Sequence, residues 1–222
     1  MWIIFDLDDT LIDTFGGIIP FQLENALQAM VKSGLKISSF KSALSRLIEI
    51  NNTAGNGREA LSKFLQEVKA PRHFLGIGVK EYYYQIKEQS YSVKPLPDAI
   101  SVLTQLKDKN QLFLITCGVK DQQFKKMIKA GIKPEWFKEI IVTRNFEDKN
   151  YLSWLKKNNF PPNKVLVCSD NFKSDLFLAK QLGMKTLQVK WGRGKINSAP
   201  LSEVDFSINY LTEIIPIVER LN

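Results

Sequence analysis

The sequence predicts an α/β protein in which a doubly wound parallel sheet carries an inserted all-helical segment. Short apolar runs without strict alternation recur along the 222 residues, which is typical of strands that are covered on both faces. Segments with helical spacing of apolar residues separate most of these runs. Strand and helix in alternation are the pattern of a doubly wound fold.

Five apolar runs rich in Ile, Val, Leu and Phe are predicted to be strands, and a weaker sixth run follows them. They cover residues 2–5, 111–116, 139–142, 164–168 and 185–189, with the weaker run at 206–208. Gly131 and Gly183 are typical of the residues that end helices. Together with the start signal Pro97-Asp98 they support helices predicted at 99–107, 121–130, 151–157 and 174–182.

One long region interrupts this alternation. Residues 14–94 contain no convincing strand, and the Pro95-Leu96-Pro97 stretch marks the return to the sheet. We therefore expect residues 1–13 and 95–222 to form the sheet domain, and 14–94 to form a helical domain. Helices are predicted in this insertion at 22–32, 39–50, 59–68 and 79–89.

The composition is that of a soluble globular protein, with 44% hydrophobic and 24% charged residues. The net charge of +8 comes from 31 basic and 23 acidic residues and could steer an anionic ligand such as a phosphate ester. The lysines are scattered, which favours a solvated basic surface, and a nucleic-acid partner is not indicated. No apolar run reaches the roughly 18 residues of a membrane span. No secretory signal is evident and the two cysteines form no metal-type cluster, so a cytoplasmic location is expected.

Polar residues follow the predicted strands at the edge of the sheet where open α/β folds bind ligands. One Asp alone would be interpreted as a turn or helix cap, but several converging carboxylates repel each other and need a neutralising charge. Mg²⁺ suits a site with few carboxylates and an open side for phosphate. The residues are Asp6 and Asp8 after the first strand, Thr116, Cys117 and Gly118 after the second, and Asp170 and Asp175 after the fourth.

These stretches resemble the motifs of the haloacid dehalogenase superfamily. DLDDTL at 6–11 resembles the opening Asp-x-Asp-x-Thr motif, LFLITCG at 112–118 the second motif, and VLVCSDNFKSD at 165–175 the acidic motif. Lys149 fits the third motif, although Asn150 follows it where many relatives have Pro. Arg144, nearer the strand end, is a rival. The resemblance covers nearly the whole chain and implies a Rossmann-like core with 14–94 as a helical cap.

The resemblance also implies a role for each site residue. Asp6 would be the nucleophile that forms an aspartyl-phosphate, and Asp8 would protonate the leaving oxygen and later activate water. Asp8 must then be neutral when substrate binds, which nearby negative charge would favour. Asp9 has no implied role and could face solvent. Thr116 would donate a hydrogen bond to a phosphoryl oxygen, and Lys149 would balance its negative charge. Backbone amides near Leu7, Cys117 and Gly118 would surround the phosphoryl oxygens. Mg²⁺ would be bound by Asp6, the Asp8 carbonyl and Asp170, with Asp175 supporting a ligand or binding through water.

The expected function is that of a Mg²⁺-dependent phosphatase acting on a small phosphorylated metabolite. Arg58 follows Gly55-Asn56-Gly57 in the insertion and would bind an anionic group of the substrate, although a lone glycine-rich loop is usually just a turn. A phosphomutase shares all four motifs and stays open as an alternative. Asp8 and Asp170 argue against a dehalogenase, and the chain length argues against a receiver-like, non-enzymatic phospho-accepting protein. The oligomeric state is left open.

Overall fold

The computed structural model describes residues 1–84, 92–144 and 151–222. Six strands form one sheet in which every pair is parallel. Each strand lies within one residue of its predicted bounds, so the fold class is confirmed. The strands are β1 (Trp2–Phe5), β2 (Gln111–Cys117), β3 (Glu139–Thr143), β4 (Val165–Ser169), β5 (Lys185–Val189) and β6 (Phe206–Ile208).

The strand order β3-β2-β1-β4-β5-β6 creates a switch point between β1 and β4. From β1 the chain runs outward through β2 and β3, and then returns to continue from β4 on the other side. Phe5 pairs with Leu114 on one side and Cys168 on the other, and the amide of Asp6 donates to the Cys168 carbonyl at 3.0 Å. Asp6 therefore lies at the crevice where sheets of this topology bind ligands.

Helices cover both faces of the sheet, which explains why its strands lack polar alternation. The sheet-domain helices are α6 (Ala99–Lys107), α7 (Lys120–Lys129), α8 (Tyr151–Asn158), α9 (Phe177–Gln181), α10 (Gly192–Ile196) and α11 (Ile214–Leu221). Ile3 and Phe5 point into a core formed with α6, α7 and α11, whereas Ile4 points into an opposite core formed with α8 and α9.

The chain divides into two compact units, one of Met1–Thr14 with Val93–Asn222 and the other of Phe15–Ser92. The second unit has its own apolar core, which includes Leu23, Leu27 and Phe64. Its predicted helix at 79–89 begins earlier in the structure, and residues 85–89 lie outside the described part. The helices from Thr14 onward are α1 (Thr14–Gly17), α2 (Ile19–Lys32), α3 (Phe40–Thr53), α4 (Gly57–Glu67) and α5 (His73–Tyr84).

The glycine-rich loop of the helical unit is the start of α4. The Asn56 side chain accepts a hydrogen bond from the amide of Glu59, and the Glu59 carboxylate accepts one from the amide of Gly55, both at 2.9 Å. A Cβ atom at Gly57 would lie 2.4 Å from Cζ of Tyr82, so close packing requires glycine there. These contacts support the interpretation of the loop as a helix-capping turn.

The predicted helix at 174–182 differs from the structure at its start. A π-helical turn occupies Phe172–Leu176, and the regular helix α9 begins only at Phe177. The wider turn carries Asp175 inward, where its side chain is 1% exposed. Such turns are frequent at functional sites. Among the helices of the described residues, none is long and apolar enough to cross a membrane.

Candidate active site

The site is built around Asp6 and Asp170, which follow the adjacent strands β1 and β4. Both are largely buried, and the amide of Asp170 donates a 3.0 Å hydrogen bond to the Thr10 hydroxyl. Thr10 itself is fully buried, so this bond attaches the loop after β1 to the end of β4. The structure thus brings together the opening motif and the acidic motif through Thr10 and Asp170, which are 160 residues apart in the sequence.

Four buried acids share this end of the sheet. Burial raises the pKa of Asp170 well above its ordinary value, and the negative charges of Asp9, Asp6 and Asp175 raise it further, against an opposing effect of Arg193. Asp9 does not face solvent, because its side chain is only 3% exposed. The carboxyl group of Asp170 therefore lies in a field that disfavours its ionised form unless a cation is added.

The donor chemistry of this cluster fits Mg²⁺, which binds carboxylate oxygens and tolerates few protein ligands. Asp175 is itself fixed, since its Oδ2 accepts a 2.7 Å hydrogen bond from the Ser169 hydroxyl. Within residues 1–84, 92–144 and 151–222, no three His, Cys, Asp or Glu side chains are already arranged to bind a metal ion. The ligand set of Asp6, Asp8, Asp170 and Asp175 therefore stays a prediction.

Asp8 points to a different set of partners. Its Oδ1 accepts hydrogen bonds of 2.5 Å from both the Lys126 ammonium and the Thr14 hydroxyl. Its Oδ2 accepts a 2.9 Å hydrogen bond from Nε2 of Gln123. Lys126 and Gln123 lie one turn apart on α7, which follows β2. Both carboxylate oxygens of Asp8 are thus bonded, and one of the donors carries a full positive charge.

These partners determine the charge of Asp8. Burial alone would raise its pKa, but the charge of Lys126 and the hydrogen bonds from Gln123, Lys126 and Thr14 outweigh burial and lower the pKa. Without substrate, the hydrogen-bond donors to Asp8 are one cation and two neutral groups, and the predicted neutral form in the substrate complex stays a prediction. In these surroundings Asp8 is a carboxylate, which is the form needed to accept a proton from water.

Gln123 also connects Asp8 to the end of β2. Its Nε2 lies 2.8 Å from Oγ1 of Thr116 and 3.1 Å from the carbonyl oxygen of Cys117. The carboxylate and the carbonyl are acceptors only, so the amide nitrogen must face them. In the contact between Gln123 and Thr116, the Thr116 hydroxyl oxygen is therefore the acceptor, and its own hydrogen is directed away from Gln123. This arrangement is compatible with the predicted hydrogen bond from Thr116 to a phosphoryl oxygen.

One predicted backbone donor is already engaged. The amide of Gly118 donates a 2.8 Å hydrogen bond to the Thr143 carbonyl, because the chain leaves β2 beside the end of β3. This bond argues against its predicted contact with phosphate. Gly118 has a φ of +151°, and a Cβ atom there would lie 3.1 Å from Cδ of Gln123, so its glycine is explained by backbone and packing. The amides of Leu7 and Cys117 stay predictions.

The role of the third motif stays a prediction for both of its candidates. Lys149 falls in 145–150, outside the described part of the chain. Arg144 is exposed just after β3, and its carbonyl oxygen accepts a 3.5 Å hydrogen bond from the Cys117 thiol. Arg58 lies exposed in the first turn of α4 in the helical unit, and its predicted contact with substrate is untested.

The motifs did not predict the cations and hydrogen-bond donors around the carboxylates. Gln123, Lys126 and Met127 follow helical spacing and form the buried face of α7. A polar pair on the inward face of the helix that follows a motif strand was the available signal. Arg193 lies in α10, a short helix that no predicted element covered.

The chain is similar to a known family of hydrolases and to proteins with phosphatase names. The family model described as Haloacid dehalogenase-like hydrolase matches residues 3–189. A glyceraldehyde 3-phosphate phosphatase of Pyrococcus furiosus is 25% identical over 99% of this chain and 93% of its own length. A protein of the same name from Methanocaldococcus jannaschii is 28% identical over 99% of this chain and 97% of its own length.

A solved structure shares the fold. The crystal structure of a protein from Haemophilus somnus described as a "predicted phosphoglycolate phosphatase" superposes with a TM-score of 0.72 at 17% identity, covering 97% of this chain and 96% of that one. The family match spans β1 to β5, including the strand ends that carry the carboxylates. This chain therefore belongs to the haloacid dehalogenase-like hydrolase family, as its motifs predicted.

Proposed function

We propose that this protein is a Mg²⁺-dependent phosphatase that hydrolyses a small phosphate monoester through an aspartyl-phosphate on Asp6. The observation that carries the proposal is the position of Asp6 at the β1–β4 switch point, next to the buried acid Asp170. Relatives that bear phosphatase names and match nearly the whole chain support the reaction class.

In the first step a carboxylate oxygen of Asp6 attacks phosphorus, and the bond between phosphorus and the ester oxygen breaks with its electron pair leaving on that oxygen. A proton from the carboxyl group of Asp8 completes the leaving alcohol. In the second step water attacks the phosphorus of the aspartyl-phosphate and Asp8 takes up its proton. Asp6 and inorganic phosphate are released, and Asp8 is again protonated.

The ionised state of Asp8 sets a requirement on the first step. Its Lys126, Gln123 and Thr14 partners favour the carboxylate, so Asp8 must gain a proton as the substrate binds. The negative charge of a phosphate monoester next to Asp8 would act in that direction. After the proton has been donated, the same three partners stabilise the carboxylate that activates water.

The metal would be bound by Asp6, the backbone carbonyl of Asp8 and Asp170, with Asp175 as a supporting residue. When bound it would balance the negative charge of the phosphoryl oxygens and of the clustered carboxylates. Thr116 would donate a hydrogen bond to one phosphoryl oxygen. Lys149, or else Arg144, would supply the cation of the third motif.

The substrate is proposed to be a small, cytoplasmic phosphorylated metabolite. The relatives named glyceraldehyde 3-phosphate phosphatases make that triose phosphate the first compound to test, and phosphoglycolate the second. Arg58 of the helical unit is proposed to bind an anionic group of the substrate. Neither proposal requires a nucleic-acid or membrane partner.

The experiment is a panel of phosphorylated metabolites assayed for phosphate release with and without Mg²⁺, using wild type and Asp6→Asn. We expect release that requires Mg²⁺ and is absent in the variant, because an amide cannot attack phosphorus. Conversion of a sugar phosphate to an isomer without phosphate release would support a phosphomutase instead. Equal activity in wild type and Asp6→Asn would contradict the proposal.

A further inference from the structure

Lys126 is a buried lysine with a specific partner. Its side chain is 11% exposed, and its ammonium lies 2.5 Å from Oδ1 of Asp8. Lysine is almost never buried this deeply unless it is paired, because the ammonium loses its hydration. A buried ion pair of this kind often adds little net stability compared with apolar side chains of similar size. Its position beside a predicted catalytic acid is therefore better explained by what it does to that acid.

Gln123 contacts the other oxygen of the same carboxylate. Gln123 and Lys126 come from successive turns of α7 and reach Oδ2 and Oδ1 of Asp8 separately. Two donors on one rigid helix that bond different oxygens fix both the position and the rotation of a carboxylate. Thr14 adds a third bond from the sheet unit's own chain after β1.

Gln123 also connects Asp8 to the end of β2, where the phosphoryl group is proposed to bind. Gln123 bonds Thr116 and the carbonyl of Cys117 in addition to Asp8. The spacing between Asp8 and Thr116 is therefore set by one side chain that is itself 3% exposed. A group that transfers a proton to the leaving oxygen must lie within hydrogen-bond reach of it while the phosphoryl group is bound.

We propose that Lys126 and Gln123 are positioning residues that hold the Asp8 carboxyl group at a fixed place relative to Thr116 during phosphoryl transfer. The proposal deepens the proposed function and rests on it. Lys126 and Gln123 act through Asp8. Loss of either member should leave substrate binding nearly intact and slow the step in which Asp8 moves a proton.

The test uses Lys126→Met, which keeps the aliphatic chain and removes the charge, assayed on the best substrate of the metabolite panel. We expect kcat to fall by about 10- to 100-fold while KM changes by less than about threefold, since a displaced catalytic group costs turnover rather than binding. Lys129→Met, on the same helix but exposed, is the matched control and should keep wild-type kinetics.

A double variant separates positioning from a general structural role. If Lys126 acts through Asp8, the Lys126→Met substitution should have almost no further effect in an Asp8→Asn background. Losses that multiply in the double variant would overturn the proposal. So would a wild-type kcat in Lys126→Met.

Folding and activity are tested independently. Thermal unfolding of each variant shows whether it is folded, and Gln123→Met gives the same test from the other member of the pair if Lys126→Met is unstable. A Gln123→Met enzyme with unchanged kcat would then contradict the proposal. If wild type releases no phosphate from any substrate, the proposed function itself fails. If wild type is active and both variants match it, only the positioning role fails.

Discussion

The hydroxyl oxygen of Thr10 accepts a 3.0 Å hydrogen bond from the backbone amide of Asp170, and this bond joins the loop after β1 to the end of β4. Both groups are buried, so an unpaired amide there would cost about 1–3 kcal/mol of folding free energy. The bond also fixes the backbone that carries Asp170 beside Asp6.

Thr10→Val should lower stability by about that amount and also lower phosphatase activity, because valine has the same shape but no acceptor. Thr10→Ser keeps the hydroxyl and is the matched control. Denaturant unfolding gives the first quantity and kcat the second. A Thr10→Val enzyme as stable as wild type would show that the bond contributes nothing.

Asp170 should be a source of instability that metal binding relieves. Its carboxylate is buried among Asp6, Asp9 and Asp175, which raise its pKa, so at neutral pH its ionised form opposes folding. We expect Asp170→Asn to melt at a higher temperature than wild type in chelator. Mg²⁺ should raise the melting temperature of wild type, because binding to the native state stabilises it, and should have little effect on the variant.

Asp121→Asn, at the exposed start of α7, is the control for this thermal measurement and should respond to Mg²⁺ as wild type does. A wild-type protein whose melting temperature is unchanged by millimolar Mg²⁺ would count against the metal site. A full Mg²⁺ response in Asp170→Asn would remove Asp170 from the ligand set.

Asp205, which lies outside the proposed site, should make the stability of the protein depend on pH. Burial would raise its pKa, but hydrogen bonds from Lys180 and Thr186 outweigh burial and lower it. A lowered pKa in the folded state means that the stabilisation is complete above the ordinary Asp pKa. It is lost as the pH falls through the lower, folded-state value.

Asp205→Asn should therefore reduce the free energy of unfolding by about 1.5–3 kcal/mol at pH 7, and the difference from wild type should shrink in acid. Asp108→Asn, in an exposed pair with Lys107, should change stability by less than about 0.5 kcal/mol. Urea titrations from pH 7 into the acid range measure the free energy of unfolding of both variants and of wild type. A difference for Asp205 that stays constant down to the lowest pH would contradict the assignment.

The third-motif cation can be identified by kinetics. A fixed positive charge offsets negative charge that develops on the phosphoryl oxygens, and loss of one such contact costs about 10²-fold in kcat. Lys149→Ala should show a loss of this size and Arg144→Ala a much smaller one. The reverse ranking would transfer the role to Arg144, whose exposed position just after β3 keeps it a candidate.

The sheet could be predicted from sequence because its strands are buried on both faces and read as apolar runs. The convergence of Asp6 and Asp170 followed from the rule that parallel strands end at one edge. The pairing of Lys126 with Asp8 was not predicted: helical spacing indicates the inward face of α7, but which carboxylate that face meets depends on how the helix packs. The engagement of the Gly118 amide depends on where β3 ends beside β2, which requires the register between strands.

The central claim is that Asp6 carries the phosphoryl group during turnover, and it can be tested by trapping the intermediate. Asp8→Asn enzyme, mixed with substrate and Mg²⁺, is quenched in acid and digested, and the peptide containing Asp6 is examined by mass spectrometry. We expect a mass increase of one phosphoryl group on Asp6, absent from Asp6→Asn. Phosphate release by Asp6→Asn at the wild-type rate, with no phosphorylated peptide from either enzyme, would contradict the claim.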